Sequence, residues 1–294
     1  MRKLLLQLDS SRHPSVFDQV VAHDAGADAI MSRGGVAEAD VRDLVHGCVF
    51  TRGPKDLRHT AIFIGGSDMA AGETLLRATL KAYFGPFRVS VMLDSNGSNT
   101  TAVAAVMKIR QTIGDVRGVG VVVTAGTGPV GLRAAGLLGK AGARVVITSR
   151  HAEDGARVAA RIKDRFGATV EVRELTRPDH AAAALEGAEV VLNCGPAGVT
   201  LVPRDAWAGR PGLRCAVDLN AVPPLGVEGI DVNDNGAQRD GVTVFGALGV
   251  GGLKMKLHKA CVTRLFERND LVLDAETIEG VAEELTSAPK GAKA

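Results

Sequence analysis

The chain has 294 residues, with 35 basic and 33 acidic side chains and a formal net charge of +2. That length accommodates two domains with real cores, and the near-balance of charge argues against a general nucleic-acid or membrane-surface binder. Cys48, Cys194, Cys215 and Cys261 form no Cys-x-x-Cys pair and have no histidine at ligand spacing, so neither a zinc site nor a disulfide framework is indicated, and a cytoplasmic protein with free thiols is expected.

The start, Met1-Arg2-Lys3-Leu4-Leu5-Leu6-Gln7-Leu8-Asp9, has the charge of a signal peptide, but its apolar run is short and Asp9 closes it. It reads as a first strand over 3–8. No apolar run approaches the roughly 18 residues of a transmembrane helix. A helix over 15–25 follows, with Ser15 as N-cap, then an apolar strand over 61–65 that ends in Gly-Gly. An amphipathic helix over 68–83 and a strand over 87–93 continue the alternation, which favours a mostly parallel sheet covered on both faces.

That strand runs into Asp94-Ser95-Asn96-Gly97-Ser98-Asn99-Thr100-Thr101. Two readings compete here. One is a solvated turn capping the helix expected over 102–113; the other is a substrate loop at the carboxyl end of a strand, where α/β proteins place ligands.

After a linker over 114–118, a strand over 119–125 passes into Gly126-Thr127-Gly128-Pro129-Val130-Gly131 and a helix over 130–142. Strand, glycines and helix in this order read as the opening of a dinucleotide-binding βαβ unit. Gly126 allows the tight turn, Gly128 lets bare backbone approach a pyrophosphate, and Gly131 lets the helix pack close to the strand. Pro129 suits a first helical turn, and the helix offers free N–H groups to the anion. The next strand, over 143–148, ends in Thr148-Ser149-Arg150-His151 where an acid would bind the ribose of NAD. Arg150 can take a 2′-phosphate bidentately, with Ser149 as a further donor, so the cofactor is read as NADP. A solvated arginine is the bland alternative.

Helix over 152–166, strand over 168–173, short helix over 179–185 and strand over 189–193 follow, the last ending in Cys194-Gly195-Pro196-Ala197-Gly198. A turn of that kind lets backbone pass close to the cofactor's ribose and nicotinamide, with Cys194 as a small packing residue rather than a nucleophile. A strand over 214–219 leads to a stiff loop whose Asn220 and Ala221 are placed on the cofactor side. The last strand is expected over 243–245. Beyond it Gly246 and Leu248 are placed at the cofactor, glycines before a helix suggesting backbone that meets a ligand. Lys254, Lys256, His258 and Lys259 crowd the first turns of that helix, where cations are unwelcome, and either an anionic ligand or a solvated basic face explains them. A closing helix over 274–285 precedes a tail, 287–294, expected to be disordered.

Asp94 to Thr101, the glycine loop, Asp218-Leu219-Asn220-Ala221-Val222-Pro223-Pro224-Leu225-Gly226 and the run from Phe245 to His258 together resemble the bacterial NADP-dependent methylene-tetrahydromethanopterin/methylene-tetrahydrofolate dehydrogenases of C1 metabolism. The match also takes in Ser15-Val16-Phe17-Asp18 and Tyr83-Phe84-Gly85-Pro86-Phe87 and is nearly full length. The resemblance implies an N-terminal α/β pterin-binding domain (1–101) and a Rossmann-type doubly wound NADP domain (102–269). A C-terminal stretch of about 270–286 would pack back on the first domain, and the active site would lie in the cleft between the two. It implies hydride transfer from a methylene carbon to nicotinamide, leaving a methenyl cation stabilised by its flanking nitrogens, with no general base and catalysis by positioning of two rings. Asp18, Asp94, Ser95, Asn96, Ser98, Asn99, Thr100 and Thr101, with Lys254 and His258, would serve the pterin, and Lys256 would orient it. A homo-oligomer, a trimer or its multiple, is also implied.

Bifunctional folate dehydrogenase/cyclohydrolases carry a Tyr-x-x-x-Lys pair, whereas Tyr83 here is followed by Phe84-Gly85-Pro86-Phe87, so cyclohydrolase activity is not expected. The alternatives are a shikimate-type NADP-dependent dehydrogenase and a non-catalytic NADP(H) sensor. The first needs an acid–base lysine in the N-terminal domain, and Lys55 and Lys81 sit in no suggestive context. A sensor has no obvious need of the polar loop at Asp94 together with the Lys254 to His258 cluster.

Overall fold

A computed structural model describes residues 1–287; the tail expected to be disordered lies outside the described residues except for Ser287, which is helical. In chain order the elements are β1 (Leu4–Asp9), α1 (Val16–Asp24), β2 (Ala29–Arg33), α2 (Glu38–Val49), β3 (Thr60–Gly65), α3 (Met69–Lys81), β4 (Ser90–Leu93) and α4 (Ser98–Ile113). Then come β5 (Gly120–Thr124), α5 (Pro129–Lys140), β6 (Arg144–Ser149), α6 (Ala152–Phe166), β7 (Glu171–Glu174), α7 (Ala181–Ala184), β8 (Val190–Asn193), α8 (Arg204–Trp207) and β9 (Cys215–Asp218). The chain closes with β10 (Asn235–Arg239), β11 (Val242–Phe245), α9 (Ala247–Arg264), β12 (Val272–Leu273) and α10 (Ala275–Ser287). None of the described helices is long and apolar enough to cross a membrane.

Two compact units result, Met1–Thr100 with the described residues from Met255 onward, and Thr101–Lys254. In the first, a five-stranded parallel sheet has the order β12-β4-β3-β1-β2. Its inner strands are mostly apolar because both faces are covered: Leu6, Leu8, Ile62, Ile64, Val91 and Leu93 pack with Val41, Val45, Met69 and Leu75 from α2 and α3. Residues 255–269 fall in this unit and not with the nucleotide-binding domain. Leu257, Cys261 and Val262 on that half of α9 and Leu265 just after it are all buried, and Thr263 donates to the Ala25 carbonyl at 3.1 Å.

The second unit holds a seven-stranded sheet of order β10-β11-β9-β8-β5-β6-β7, parallel except at β10. This is a doubly wound sheet whose order reverses between β5 and β8, the place where such folds bind dinucleotides. Trp207, fully buried, packs with Val122, Val191, Ala216 and Val244 and donates its indole N–H to the Glu228 carbonyl at 2.9 Å.

Several expected bounds shift for physical reasons. β2, α2, α8, β10 and β12 are additions to the expected elements, and β12 displaces 243–245 as the final strand. β2, β10 and β12 lie at sheet edges, where a strand needs no continuous apolar run. The strand expected from 87 begins at Ser90, because Phe84 and Phe87 exchange backbone hydrogen bonds at 3.2 and 2.9 Å in a tight turn.

Helix α5 lies against α6 through a glycine: a Cβ on Gly136 would sit 2.2 Å from the Phe166 ring. Gly136→Ala therefore gains about 1 kcal/mol of helix propensity and loses about 1–3 kcal/mol to overpacking. We expect a net destabilisation of about 1 kcal/mol, read as a lowered urea midpoint; an unchanged or raised midpoint would contradict the close packing.

Candidate cofactor and substrate sites

At the carboxyl end of β5 the chain turns through Ala125, at φ +50°, and Gly128 becomes the N-cap of α5 with Pro129 at its first position. The spacing assigns the tight turn to Gly126, yet the left-handed residue is Ala125. Non-glycine residues held there tend to mark functional turns. Gly126 is a packing glycine, since a Cβ on it would lie 2.7 Å from Ile147 Cβ. A Cβ on Gly131 would lie 2.7 Å from Gly126 Cα, so this glycine brings helix onto strand. Gly128 is open, with the Ala125 carbonyl at 3.6 Å as its nearest obstacle. No side chain caps α5. Its first N–H groups are left for an anion, with Thr127 and Val130 half-buried beside them.

A cavity of about 600 Å³ opens beside this loop, lined by Thr127, Gly128, Ser149, Arg150, Thr176, Cys194, Pro196, Val199 and Leu201 among others, and by no carboxylate. Arg150 is exposed on it. Ser149 is not a free donor: its hydroxyl donates to the His151 carbonyl at 2.8 Å and accepts the His151 N–H at 3.2 Å, which shapes the turn that carries Arg150. Thr176 is an addition to the expected set. It follows the short strand β7, and its Oγ1 lies 3.1 Å from His180 Nδ1.

Cys194 and Gly195 stand where expected, after β8. Burial pushes the Cys194 thiol well above its ordinary range, with the Asp218 carboxylate adding to the shift, so the sulfur stays protonated. Asn220 does not face the cavity. Its amide donates to the Pro196 and Pro224 carbonyls, both at 3.3 Å, and its Oδ1 accepts the Val222 N–H at 2.9 Å. Ala221 is exposed on that loop.

In the first unit, Asp94 ends β4 and acts as a helix cap. Its Oδ1 accepts the N–H groups of Asn99 and Thr100 at 2.9 and 3.0 Å, and its Oδ2 accepts the Thr100 hydroxyl at 2.6 Å. Helix α4 consequently starts at Ser98, after a 3-10 turn over Ser95–Gly97, and most of the polar run is the start of a helix. Ser95, Ser98, Asn99 and Thr100 are fully buried; Ser95 donates to the Gly65 carbonyl at 2.7 Å and Asn99 to the Leu93 carbonyl. Asn96, at φ 53°, is exposed and Thr101 half-buried.

Asp18, on the first turn of α1, brings Oδ2 to 3.5 Å from where a Gly65 Cβ would sit, and Asp9 Oδ2 comes to 3.3 Å of the same point. Asp9 is an addition to the expected site. It is 1% exposed and receives the Ser11 and Ser15 N–H groups at 2.7 and 3.0 Å. Its signal in the sequence is an acid closing an apolar strand. Asp9, Gly65 and Asp94 thus stand at the carboxyl ends of β1, β3 and β4, with the strand order reversing between β1 and β3.

Helix α9 begins at Ala247, so Lys254 and the cations after it lie roughly two turns in, beyond the reach of the N-terminal dipole. The electrostatic case for a ligand there lapses. Gly246 and Gly249 admit other backbone: a Cβ on either would lie 2.0 Å from the Asp231 or Asp234 carbonyl oxygen. Leu248 is exposed, with its N–H on the Val232 carbonyl at 2.8 Å. His258 is buried, stacked on Phe63 at 5.5 Å between centroids, with Nδ1 3.8 Å from Asp94 Oδ2. Lys259 pairs with Asp24 at 2.8 Å. Lys254 is half-buried and Lys256 exposed.

Comparison with known proteins adds the following. The family model described as methylene-tetrahydromethanopterin dehydrogenase, N-terminal, matches residues 16–96. The chain is 47% identical over 285 residues to the bifunctional protein MdtA of Methylorubrum extorquens, covering 97% of this chain and 99% of that one. It is 33% identical over 282 residues to the NAD(P)-dependent methylenetetrahydromethanopterin dehydrogenase of the same organism, covering 93% and 95%. Among solved structures, shikimate 5-dehydrogenase from Listeria monocytogenes, in complex with shikimate and NAD, aligns with a TM-score of 0.55 over 95% of this chain and 96% of that one. At 12% identity that likeness speaks for the fold alone.

Proposed function

We infer the function from one premise: the chain belongs to the methylene-tetrahydromethanopterin dehydrogenase family. It is an oxidoreductase that moves a hydride from the methylene carbon of methylene-tetrahydromethanopterin to NADP and leaves the methenyl form. Methylene-tetrahydrofolate, which shares the reacting ring, is a second substrate. The observation that carries the cofactor half is the cavity in which open Gly128 and exposed Arg150 meet without a carboxylate.

The residues present fit NADP. The uncapped start of α5 receives the pyrophosphate, Arg150 takes the 2′-phosphate, and the wall of Cys194, Pro196, Val199 and Leu201 keeps water away. When bound, NADP supplies the hydride acceptor. Losing a hydride from a carbon between two nitrogens leaves a delocalised cation and releases no proton, so no side chain has to act as base. The protonated Cys194 thiol is in keeping with that. Asp18 and Lys256 orient the pterin, with exposed Asn96 and half-buried Thr101 as further contacts, while Asp94, Ser95, Asn99 and Thr100 hold the loop from within.

The product leaves unhydrolysed. Tyr83 donates its hydroxyl to the Val89 carbonyl at 2.6 Å, and burial pushes its ionisation well above the ordinary range, which suits a structural tyrosine. We place the enzyme in the cytoplasm as a homo-oligomer, a trimer or its multiple, on the strength of the family resemblance. Each pterin mixed with NADP and with NAD, followed by the absorbance of the reduced nicotinamide and of the methenyl product, tests the reading. NADPH should form and the methenyl signal should persist. No NADPH with either pterin overturns the function, and enzyme-dependent decay of the methenyl signal overturns the absence of cyclohydrolase activity.

A further inference from the structure

We propose that Asp218 is the positioning residue for the nicotinamide half of the cofactor site, acting through Asn193 and the two loops that follow β8 and β9; this rests on the NADP reading above. Asp218 is 1% exposed and lies outside the cavity lining. Both of its carboxylate oxygens are spent inside the fold. Oδ1 accepts from Asn193 Nδ2 at 2.7 Å and from the Asn220 N–H at 3.0 Å, and Oδ2 accepts the Val227 N–H at 2.9 Å. Asn193, fully buried at the end of β8, accepts the Thr124 hydroxyl at 2.6 Å and the Gly195 N–H at 3.2 Å through its own Oδ1.

Asp218 Oδ1 accepts from Asn193 Nδ2, so Asp218 sets which way the Asn193 amide points. That choice in turn presents an oxygen to Gly195. The three side chains Thr124, Asn193 and Asp218 cross the carboxyl ends of β5, β8 and β9, at the reversal of strand order. Gly226 shows how closely the second loop covers them: a Cβ there would lie 1.8 Å from Asn193 Nδ2.

The two loops are then laced together. Leu201 and Val202 both donate to the Gly226 carbonyl at 3.0 Å, Gly198 donates to the Val222 carbonyl at 3.2 Å, and the Thr200 hydroxyl donates to the Leu225 carbonyl at 2.8 Å. The first loop carries Cys194, Pro196, Val199 and Leu201, one wall of the cavity. In dinucleotide folds the first βα turn and the end of the second strand serve the pyrophosphate and the adenosine ribose, so this wall falls to the other half. Bonds to a charged acceptor are the strong ones in such a network, and a buried network loses more than one member when one is cut. An amide at 218 keeps the shape but offers one acceptor oxygen and a competing N–H donor.

Calorimetric titration of Asp218→Asn with NADP and with 2′,5′-ADP, which carries the adenosine half alone, tests the role. NADP affinity should fall about tenfold while that for 2′,5′-ADP stays within about twofold of the parent. An equal loss for both ligands, or no loss for NADP, overturns the proposal. Thr124→Val removes the hydroxyl that pins Asn193 from the other side and leaves the carboxylate in place. It should show the same split at about threefold, and an unsplit result overturns the proposal even where Asp218→Asn fails to fold. A parent protein that binds neither ligand would instead overturn the cofactor reading, and this role with it.

Discussion

Arg150→Ala is expected to raise the KM for NADP by about fiftyfold and to leave the KM for NAD within about twofold. A hydrogen bond to a charged group contributes about 1.5–3 kcal/mol, which is a factor of roughly 10 to 150. Arg150 is exposed, so solvent and salt screen it and the upper end is not reached. Ser149 is no substitute donor, because it spends its hydroxyl on the His151 carbonyl. NAD lacks the phosphate and has nothing to lose. Steady-state kinetics with both cofactors decides the matter, and an equal rise for both would contradict the assignment of Arg150 to the 2′-phosphate. Raised salt should narrow the gap between NADP and NAD in the parent enzyme and do little in the variant.

Lys256→Ala is expected to lower kcat about a hundredfold with the affinity for NADP kept within about twofold. The magnitude is that of a misplaced reactant, since a shift of about 1 Å costs a factor of about 10² where catalysis is positioning. An exposed lysine in a helix changes stability by at most about 0.5 kcal/mol when replaced, and Lys256 is exposed on α9, so lost turnover would not reflect lost fold. Lys256→Arg should recover part of the rate, since charge is kept and shape is not. Full turnover in the alanine variant would remove Lys256 from the site.

The legible parts of the fold were those whose causes are local. β1, β3 and β5 are apolar runs because both faces of a parallel sheet are covered, and α5 begins where glycines and a proline must begin it. β2, β10 and β12 lie on sheet edges and carry no such run. The run from Asp94 shows the limit for sites. Ser, Asn and Thr in a row suit a binding loop and a helix start equally well, because each can bond either a ligand or nearby backbone. In the structure Asp94 accepts the N–H groups of Asn99 and Thr100, so that most of the run starts a helix. Periodicity likewise put His258 on a helix without revealing that its ring stacks on Phe63.

By itself the sequence determined the strand–glycine–helix opening of a nucleotide-binding unit, a glycine loop suited to a pyrophosphate, and an arginine where NAD enzymes carry an acid. All three follow from backbone requirements within a few residues of each other, which a linear pattern records. The tertiary structure alone decided which polar groups are left for ligands and which are spent on the fold. Thr124 meets Asn193 across 69 residues and Asn193 meets Asp218 across 25. Whether a buried side chain serves the site or the loop beside it depends on such distant partners, because a polar group in a protein interior must be satisfied by whatever the fold brings to it.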